Sequence, residues 1–323
     1  MSSPILQVKN LTTRFRTERG MATAVDQVSF EVAPGETLAI VGESGSGKSV
    51  SALSILGLIP DPPGKIVGGE ILFDGRDLLK MSKAEMRAIR GNRIAMIFQE
   101  PMSSMNPALT VGMQIAEPIN LHRRTPWKKA LDMALTLLGK VQIPDPASRV
   151  SAYPHQFSGG MRQRGMIAMA LACEPSLIIA DEPTTALDVT VQAQILDLLK
   201  DLASNSGTAL ILITHDLGVV ARYADRVAVM YGGRIIETAP AAELYARPRH
   251  PYTRGLMASV PRIDGDTSRP LIPIEGQPPD LTALPEGCAF MPRCKEAREQ
   301  CRTTRPALRQ VSERHFKACL IDD

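Results

Sequence analysis

IVGESGSGKS, residues 40–49, is the stretch that decides the fold. The apolar run Leu38–Val41 before it favours a strand and Val50–Leu58 after it favours a helix, so the stretch has the G-x-x-x-x-G-K-[ST] form of a phosphate-binding loop. Glycine lets backbone N–H groups turn toward a phosphate, and the helix N-terminus adds positive potential. Lys48 is predicted to reach the β- and γ-phosphates and Ser49 to bind Mg²⁺. The residues predicted to contact a nucleoside triphosphate are Gly42, Glu43, Ser44, Gly45, Ser46, Gly47, Lys48, Ser49 and Val50.

The composition is that of an ordinary globular protein. The chain has 323 residues, of which 44% are hydrophobic and 22% charged, and its formal net charge is +3. This near-neutral charge gives no argument for nucleic acid as a partner. Residues 1–11 lack a basic segment followed by an apolar one, so we expect no secretion signal, and no apolar run reaches the ~18 residues of a membrane-spanning helix. Five cysteines in such a chain favour thiols or metal ligands over disulfides.

The pattern of apolar residues predicts an α/β fold with a parallel-rich sheet. Residues 177–180 and 209–213 are wholly apolar runs between helical segments, which indicates strands covered on both faces and hence largely parallel. Alternating apolar residues predict further strands at 5–15 and 24–32, which we assign to an antiparallel β subdomain.

Two regions depart from this pattern. Residues 102–149 have helical spacing, few strand formers and one long amphipathic run at 127–138, which predicts a helical insertion. From about residue 247 the chain becomes rich in proline, and four of the five cysteines lie between Cys288 and Cys319. The end of the chain is therefore predicted to be a loop-rich, cysteine-bearing extension.

An apolar segment, Leu177–Ala180, ends in the acids Asp181 and Glu182. At a strand end beside the phosphate loop, Asp181 would hold the Mg²⁺ shell and Glu182 would accept a proton from the attacking water. The alternative is a strand followed by a solvated acidic turn. The presence of Lys48 in a phosphate loop favours the catalytic interpretation.

A second glycine turn, Phe157–Gly160, precedes a predicted helix that begins at Met161. Its N–H groups form a second candidate anion site at a helix N-terminus. A turn that only caps the helix is the alternative. Because the first loop already supplies a full phosphate cradle, a second anion site needs another phosphate or another nucleotide.

The stretch Ser158–Arg164 (SGGMRQR), about twenty residues before Asp181-Glu182-Pro183, resembles the signature motif of ABC ATPases. Residues 1–245 match that family's nucleotide-binding domain in motif order, with a helical subdomain at about 100–170. Met161 stands where many members carry Gln, a departure that leaves the serine and glycines intact. The resemblance implies ATP and Mg²⁺ as ligands, and two such domains paired head to tail so that each signature motif completes the partner's ATP site.

The resemblance also implies roles for residues outside these motifs. Gln99 falls at the Q-loop glutamine that couples nucleotide to the membrane subunits, and His215 at the switch histidine that contacts the γ-phosphate. Asp188 ends the D-loop, residues 186–188, and Phe15 matches the aromatic that stacks on adenine. The implied Mg²⁺ ligands are Ser49, Gln99 and Asp181, and the signature residues are Ser158, Gly159 and Gly160.

Each of these residues has a structural alternative. Asp188 could cap the following helix, and Gln99 could simply end a strand. Phe15 could be a core residue, since aromatic side chains more often pack than bind, and a lone histidine such as His215 is more often structural than catalytic. The joint order of the motifs along the chain favours the functional interpretations.

Three motifs of the extension narrow the resemblance. His250–Thr253 (HPYT), Gly276–Pro279 (GQPP) and Cys288–Cys294 (CAFMPRC) resemble the C-terminal region of oligopeptide and dipeptide importer ATPases. Relatives with this region also serve nickel and some oligosaccharide importers. We therefore assign residues 246–323 to an extension of this type.

The cysteine spacing in the extension is C-x5-C-x6-C-x17-C, which is neither the C-x2-C pair typical of zinc nor the compact ferredoxin pattern. Four unrelated reduced thiols are one interpretation. A metal staple is the other, because a proline-rich segment of this size cannot easily build a core alone. Some importers of the family hold a 4Fe–4S cluster here, which makes Cys288, Cys294, Cys301 and Cys319 the implied ligands, with zinc as the alternative metal. Cys173 is expected to be a buried packing residue.

The resemblance implies an ATP-hydrolysing importer subunit on the cytoplasmic face of a bacterial inner membrane. Its expected partners are a second ATPase subunit (a homologous chain or a second copy), two membrane-spanning permeases and, indirectly, an extracytoplasmic substrate-binding protein. Di- or oligopeptides are the expected cargo, with nickel or oligosaccharides as alternatives. A soluble ABC ATPase acting on nucleic acid or ribosomes, and a module that senses redox state through the extension, are the competing classes.

Overall fold

The computed structural model describes residues 3–100, 104–185, 187–259 and 273–321. Three parts of the sequence predictions lie outside these residues: Met102 at the start of the helical insertion, Ala186 of the D-loop, and residues 260–272 of the proline-rich tail.

The described residues fold into two compact units. The phosphate-loop unit comprises Leu6–Glu31, Thr37–Leu79 and Thr214–Asp323, and the acidic-strand unit comprises Met1–Ile5, Val32–Glu36 and Lys80–Ile213.

An antiparallel sheet forms one part of the phosphate-loop unit. Its strands, in spatial order, are β2 (Gly20–Val32), β1 (Leu6–Thr17), β4 (Gly64–Phe73) and β5 (Arg76–Asp77). The register of β1 on β4 pairs Leu6 with Phe73 and Phe15 with Gly64. Leu6, Val8 and Leu11 alternate with more exposed residues along β1, so one face of the sheet is buried, as the alternating pattern predicted.

A second group of strands carries the phosphate loop. The first strand, β3 (Thr37–Val41), is buried throughout and pairs in parallel with β9 (Arg226–Tyr231). Next to β9 lies β10 (Arg234–Pro240), which is antiparallel to it. Neither strand was predicted from the sequence, although β9 is mostly apolar; β10 also contains the polar residues Arg234, Glu237 and Thr238.

The C-terminal extension adds strands to this group instead of forming only loops. β12 (His315–Lys317) pairs antiparallel with β10, and β11 (Arg309–Ser312) pairs antiparallel with β12. The extension was expected to lack a hydrophobic core of its own, and some of its buried residues instead join the core of the phosphate-loop unit. Phe290 and Ala318 of the extension complete a cluster of buried residues built on β3 and β9.

The phosphate-loop unit also contains helices. They are α1 (Lys48–Ile55), α8 (Leu217–Tyr223), α9 (Ala241–Ala246), α10 (Pro251–Ala258) and α11 (Gln300–Thr303), with short 3₁₀ turns at Leu78–Lys80 and Met291–Arg293. Tyr252 of α10 is fully buried in the same cluster.

The acidic-strand unit contains parallel strands in the order β8 (Ala209–Thr214), β7 (Leu177–Asp181) and β6 (Ile94–Ile97). The register pairs Ile94 with Leu177 and Ile178 with Leu210. Every residue of β7 and β8 is buried, which confirms that unalternating apolar runs here mark parallel strands covered on both faces.

Helices make up the rest of the acidic-strand unit. They are α2 (Lys83–Ile89), α3 (Val111–Arg123), α4 (Trp127–Lys140), α5 (Pro146–Arg149), α6 (Gly159–Leu171) and α7 (Val189–Ser206), with a 3₁₀ turn at Pro154–Gln156. A capping box formed by Ser82 and Glu85 begins α2. One amphipathic run was expected before residue 149, but α3 is a second long helix there. Pro118 inside α3 obscured it, since proline usually ends a helix.

Within the described ranges, no helix is both long enough and apolar enough to cross a membrane.

Candidate nucleotide site

The phosphate loop begins where β3 ends at Val41, and α1 starts at Lys48 with Gly47 as its N-cap. Gly42 has φ +153° and Gly47 has φ +103°, values that L side chains rarely adopt. A Cβ atom on Gly42 would lie 2.2 Å from the Met230 carbonyl oxygen, and one on Gly47 would lie 2.3 Å from that of Ala24. Both positions therefore require glycine on grounds of backbone conformation and of space.

Lys48 lies inside the curve of this loop. Its side chain is 5% exposed, and its ammonium group donates to the carbonyl oxygens of Gly42 at 2.7 Å and Glu43 at 2.9 Å. The N–H of Ser46 also donates to the Glu43 carbonyl, at 3.2 Å. The positive charge of Lys48 is thus held at the N-terminus of α1, where the helix dipole also favours an anion.

Two groups outside the loop form hydrogen bonds with its backbone. The Gly233 N–H, in the turn between β9 and β10, donates to the Ser46 carbonyl at 3.0 Å. The Tyr252 hydroxyl accepts a hydrogen bond from the Glu43 N–H at 2.9 Å. Sequence reasoning missed both contacts. The sequence held one clue to the Tyr252 contact. Tyr252 belongs to the extension motif His250–Thr253, to which no role in the nucleotide site had been assigned.

The acids predicted after β7 lie in the acidic-strand unit. Asp181 is the last residue of β7 and is 6% exposed. Glu182 follows in a left-handed conformation, φ +44°, and its N–H donates to the Ile213 carbonyl at 2.9 Å. A left-handed conformation at a residue other than glycine is strained, so its surroundings must stabilise it.

The structure brings Gln99 and Glu182 together. Gln99 is exposed just beyond the end of β6, and its Nε2 donates to the Glu182 carboxylate at 2.9 Å. The Thr185 hydroxyl donates to the same carboxylate, also at 2.9 Å. Gln99 and Glu182 were each predicted from the sequence as separate site residues, whereas Thr185 was not predicted. The Gln99 and Thr185 side chains together fix the orientation of the candidate base, Glu182.

Ser158 and Asp188 both cap helices, as their structural alternatives proposed. The Ser158 hydroxyl accepts from the Met161 N–H at 3.3 Å and begins α6, and the Asp188 carboxylate accepts from the Val191 N–H at 2.9 Å and begins α7. A Cβ atom on Gly160 would lie 3.0 Å from Val191 Cγ1. The N-termini of α6 and α7 are therefore in close contact. The Ser158 cap accounts for one N–H group at the start of α6, so the other N–H groups of the Gly159-Gly160 turn remain a candidate anion site.

His215 and Phe15 belong to the phosphate-loop unit. His215 is exposed directly after β8, and Asp216 then caps α8 by accepting from the Gly218 N–H at 2.8 Å. Phe15 is partly buried, and its ring covers Gly64 of the neighbouring strand so closely that a Cβ on Gly64 would lie 2.5 Å from it. Phe15 is thus neither a fully buried core residue nor a free surface ring.

The four cysteines of the extension meet around one small cavity, which Cys288, Cys294, Cys301 and Cys319 all line. The Cys288 N–H donates to the Cys301 carbonyl at 2.9 Å, which ties the first and third of them together. Burial raises the pKa of the Cys288, Cys294 and Cys319 thiols. Among the described residues, no group of three or more His, Cys, Asp or Glu side chains is placed to hold a metal ion.

All five cysteines lie in the described residues and are free thiols. Cys173 is 3% exposed, and burial raises its pKa, in keeping with the packing role expected for it.

The strand, glycine loop and helix around Lys48 define a nucleotide-binding protein of the P-loop class. Two family profiles match the chain. The ABC transporter profile matches residues 25–185, and the profile of the oligopeptide/dipeptide transporter C-terminal region matches residues 236–301.

Curated relatives match over nearly the whole chain. A probable peptide ABC transporter ATP-binding protein of Sinorhizobium fredii is 55% identical over 98% of this chain and 94% of its own length. The dipeptide transport ATP-binding protein DppD of Bacillus subtilis is 51% identical over 99% of this chain and 95% of its own, and the oligopeptide transport ATP-binding protein OppD of the same organism is 53% identical over 97% and 87%.

A solved structure with a similar fold is a dimeric, post-hydrolysis state of an ATP-binding cassette bound to ADP and Pi. It has a TM-score of 0.66 and 28% identity, and the match covers 73% of this chain and 98% of that one. The chain belongs to the ABC transporter ATPases, and within them to the ATP-binding subunits that carry the oligopeptide/dipeptide-type C-terminal region.

Proposed function

We propose that this chain is the ATP-hydrolysing subunit of a binding-protein-dependent importer for di- or oligopeptides. The observation that carries the proposal is the C-terminal region at residues 236–301, which this chain shares with relatives named for peptide transport at 51–55% identity. Importers of nickel or oligosaccharides are the alternative within the same class.

Membership of this family also supports a proposal about the partners of this chain. Solved cassettes of similar fold are described as dimeric, and in that arrangement a second ATPase subunit would complete each ATP site. The chain would act at the cytoplasmic face of the inner membrane, where it would drive two permease subunits that receive cargo from an external binding protein. No nucleic acid is required.

Within this proposal the phosphate-loop residues bind ATP. Lys48 and the N–H groups of residues 44–50 hold the phosphates, and Phe15 stacks on adenine beside Gly64. Ser49, Gln99 and Asp181 offer hydroxyl, amide and carboxylate oxygens, the ligands that Mg²⁺ prefers. When bound, Mg²⁺ would neutralise charge on the phosphates.

The remaining assigned residues act on the attacking water and across the dimer. Glu182, oriented by Gln99 and Thr185, accepts the proton of the water, and His215 contacts the γ-phosphate. The N–H groups at the start of α6, with Ser158, bind the nucleotide of the partner subunit, while Asp188 shapes the adjoining D-loop.

Purification with the candidate permeases tests the proposal. The complex in detergent should retain two hydrophobic permease chains, and its ATPase rate should rise with peptide-loaded binding protein but not with the same protein loaded with nickel or an oligosaccharide. Stimulation by nickel or oligosaccharide would correct the cargo. An ATPase that retains no permease and responds to ribosomes or nucleic acid would contradict the importer function.

We also propose that the four cysteines of the extension hold a 4Fe–4S cluster. Four thiols line one cavity and match such a group in number and chemistry, although no three of them are placed to hold a metal ion in this structure. The segment around them has little apolar core of its own. The chain's contribution would be the four thiolates. Burial raises the pKa of the Cys288, Cys294 and Cys319 thiols and so disfavours their charged form until a metal is bound.

Anaerobic purification tests the cluster. The protein should be brown and should yield iron and acid-labile sulfide together. Replacing any one of Cys288, Cys294, Cys301 or Cys319 with Ser should remove the colour, whereas Cys173→Ser should keep it. Colourless protein with stoichiometric zinc would correct the metal, and metal-free protein with four freely alkylated thiols would reject the site.

A further inference from the structure

Two motifs of the extension contact one residue of the phosphate loop, Glu43, and the third lies against one of the two contacting side chains. Tyr252, from His250–Thr253, accepts a hydrogen bond from the Glu43 N–H, and Arg293, from Cys288–Cys294, binds the Glu43 carboxylate. Gly276 packs against the Arg293 side chain. We refer to Glu43, Tyr252 and Arg293 as the Glu43 clamp.

Arg293 makes a bidentate ion pair with Glu43. Its Nη1 lies 2.6 Å from Glu43 Oε2, and its Nη2 lies 2.9 Å from Glu43 Oε1. This parallel arrangement suits the planar guanidinium, and lysine cannot reproduce it. The geometry therefore fixes the orientation of the Glu43 side chain as well as its charge.

The other hydrogen bonds of the guanidinium go to two carbonyl groups of the extension and to a tyrosine of β9. Nε donates to the Glu275 carbonyl at 3.0 Å and Nη2 to the Ile274 carbonyl at 3.1 Å, while Nη1 also approaches the Tyr231 hydroxyl at 3.4 Å. The Arg293 side chain is only 4% exposed, whereas that of Glu43 is 27% exposed. Hydrogen bonding to Glu43 raises the pKa of Arg293, so the buried guanidinium remains charged.

The backbone of the extension is shaped to admit this side chain. Gly276 has φ +83°, and a Cβ atom there would lie 3.3 Å from Arg293 Cγ, tighter than an ordinary contact. Phe290 packs edge-on against Tyr231 and Tyr252, with ring centroids 5.2 and 5.3 Å apart. The clamp is thus supported by buried aromatic packing and does not depend on a flexible surface ion pair.

Glu43 binds Lys48 through its carbonyl oxygen, as Gly42 also does. The Glu43 carbonyl accepts from Lys48 Nζ at 2.9 Å and from the Ser46 N–H, while the N–H of Glu43 is bound to Tyr252 and its carboxylate to Arg293. A shift of Glu43 would therefore move the ammonium group that is to contact the phosphates.

We propose that Arg293 is a positioning residue for ATP hydrolysis: through Glu43 it holds the phosphate loop and the Lys48 ammonium in their productive positions. The C-terminal extension is then part of the ATP site's support as well as an appendage to the domain. The inference rests on the ATPase activity of the family and on the proposed role of Lys48.

Arg293→Met tests the inference with little loss of volume. Replacement of a buried ion pair by an apolar side chain is often tolerated by the fold, and the Glu43 carboxylate left behind is partly exposed. In the assembled complex, kcat/KM for ATP should fall by about 10- to 100-fold, the scale expected for misplacement of a binding group by about 1 Å. The melting temperature should change little. Lys295→Ala, which removes an exposed ion pair next to Cys294, is the matched control and should leave both values unchanged.

A double-mutant cycle separates positioning from general structural support. Glu43→Gln alone should also lower kcat/KM, and adding Arg293→Met to it should cost much less than Arg293→Met costs in the wild type, since the two residues act as one unit. If Arg293→Met does not fold, Glu43→Gln alone still tests the inference, because it keeps the buried arginine near a polar partner, and wild-type kcat/KM in this variant would overturn it. Arg293→Lys should recover only part of the loss.

Folded Arg293→Met protein with wild-type kcat/KM would overturn the inference, as would fully additive effects in the cycle. Lys48→Ala distinguishes this failure from a failure of the proposed site. If Lys48→Ala abolishes nucleotide binding while Arg293→Met has no effect, the site is correct and the clamp is irrelevant. If Lys48→Ala also has no effect, the site itself is wrong.

Discussion

At the scale of single residues, Glu182 is the clearest case of local strain at a candidate catalytic position. Its φ of +44° places it in the left-handed region, which costs about 1–2 kcal/mol for a residue with a Cβ atom. The bond from its N–H to Ile213 and the two bonds from Gln99 and Thr185 to its carboxylate hold it there. The carboxylate is thus oriented before any substrate arrives, which suits a general base.

Glu182→Gln should therefore separate binding from hydrolysis. The amide can still interact with Thr185 but cannot accept a proton from water, so hydrolysis should fall by about 10²–10⁴-fold while ATP affinity is kept. The measurement is ATP turnover by the assembled complex together with nucleotide binding by the isolated chain. Glu174→Gln, an exposed acid in the same unit, is the control and should leave turnover intact. Near-normal turnover in Glu182→Gln would remove Glu182 from the mechanism.

At the scale of elements, the terminal strands β11 and β12 are attached to β10 through a buried acid–histidine network. Glu237 and His315 are both fully buried, and His315 Nε2 lies 2.7 Å from the Glu237 carboxylate. His315 Nδ1 lies 3.1 Å from Glu243 of α9. Glu237 also accepts from the N–H groups of Arg249, at 2.6 Å, and His250, at 3.0 Å.

The network sets how the stability of the extension depends on pH. Burial opposes the charge of His315, but the hydrogen bonds to Glu237 and Glu243 outweigh it and raise the pKa of His315. Burial likewise opposes the charge of Glu237, yet its hydrogen bonds, first that from His315, lower its pKa. The His315 contribution is complete below the unfolded pKa of about 6.5 and is lost as pH rises through the raised folded value. The Glu237 contribution is lost as pH falls through its lowered value.

His315→Gln should remove this pH dependence. Loss of one partner of a buried ion pair should destabilise the protein by about 3 kcal/mol, near the lower end for such changes because glutamine keeps one donor. The melting temperature of His315→Gln should differ most from that of the wild type at pH 5.5–6.5, and the difference should shrink toward pH 9. The measurement is a series of about half a dozen melting curves of both proteins across this pH range. Arg302→Ala, which removes an exposed pair with Glu299, should change stability by less than about 0.5 kcal/mol at every pH. A pH-independent difference would show that His315 is not charged in the folded state.

At the scale of the whole molecule, the chain carries two candidate anion sites on different helices. One is the phosphate loop before α1, and the other is the start of α6 at Ser158, which belongs to the other unit. A protein with one phosphate loop needs only one full phosphate cradle. The second site is accounted for if it serves the nucleotide of a partner subunit.

Ser158→Arg tests whether the two anion sites serve different nucleotides. Arginine adds bulk and charge at the start of α6 and leaves the phosphate loop untouched, so the isolated chain should still bind nucleotide while hydrolysis by the assembled complex falls. The lost cap costs about 1 kcal/mol, and Ser82→Ala, which removes the cap of α2, controls for that cost. If Ser158→Arg abolishes nucleotide binding by the isolated chain as fully as Lys48→Ala, both motifs act on one nucleotide.

Local patterns were sufficient for much of the fold and of the site. The strand before Gly42, the helix after Gly47, the buried strand ending at Asp181 and the capping box at Ser82 all depend on neighbours in sequence, so they could be predicted from it. Strands β9 to β12 could not be placed in the same way. Their pairing depends on contacts such as Glu237 with Lys317, eighty residues apart, which no local pattern encodes.

By itself, the sequence determined the phosphate loop, the acids after β7 and the family, because glycine spacing and apolar runs act through local backbone conformation and strand burial. The tertiary structure alone decided which side chains support those motifs. Gln99 and Thr185 meet at Glu182, and Arg293 reaches Glu43 across 250 positions. Such pairs form only after the chain has folded, and for Arg293 burial then makes the guanidinium too costly to leave without a partner.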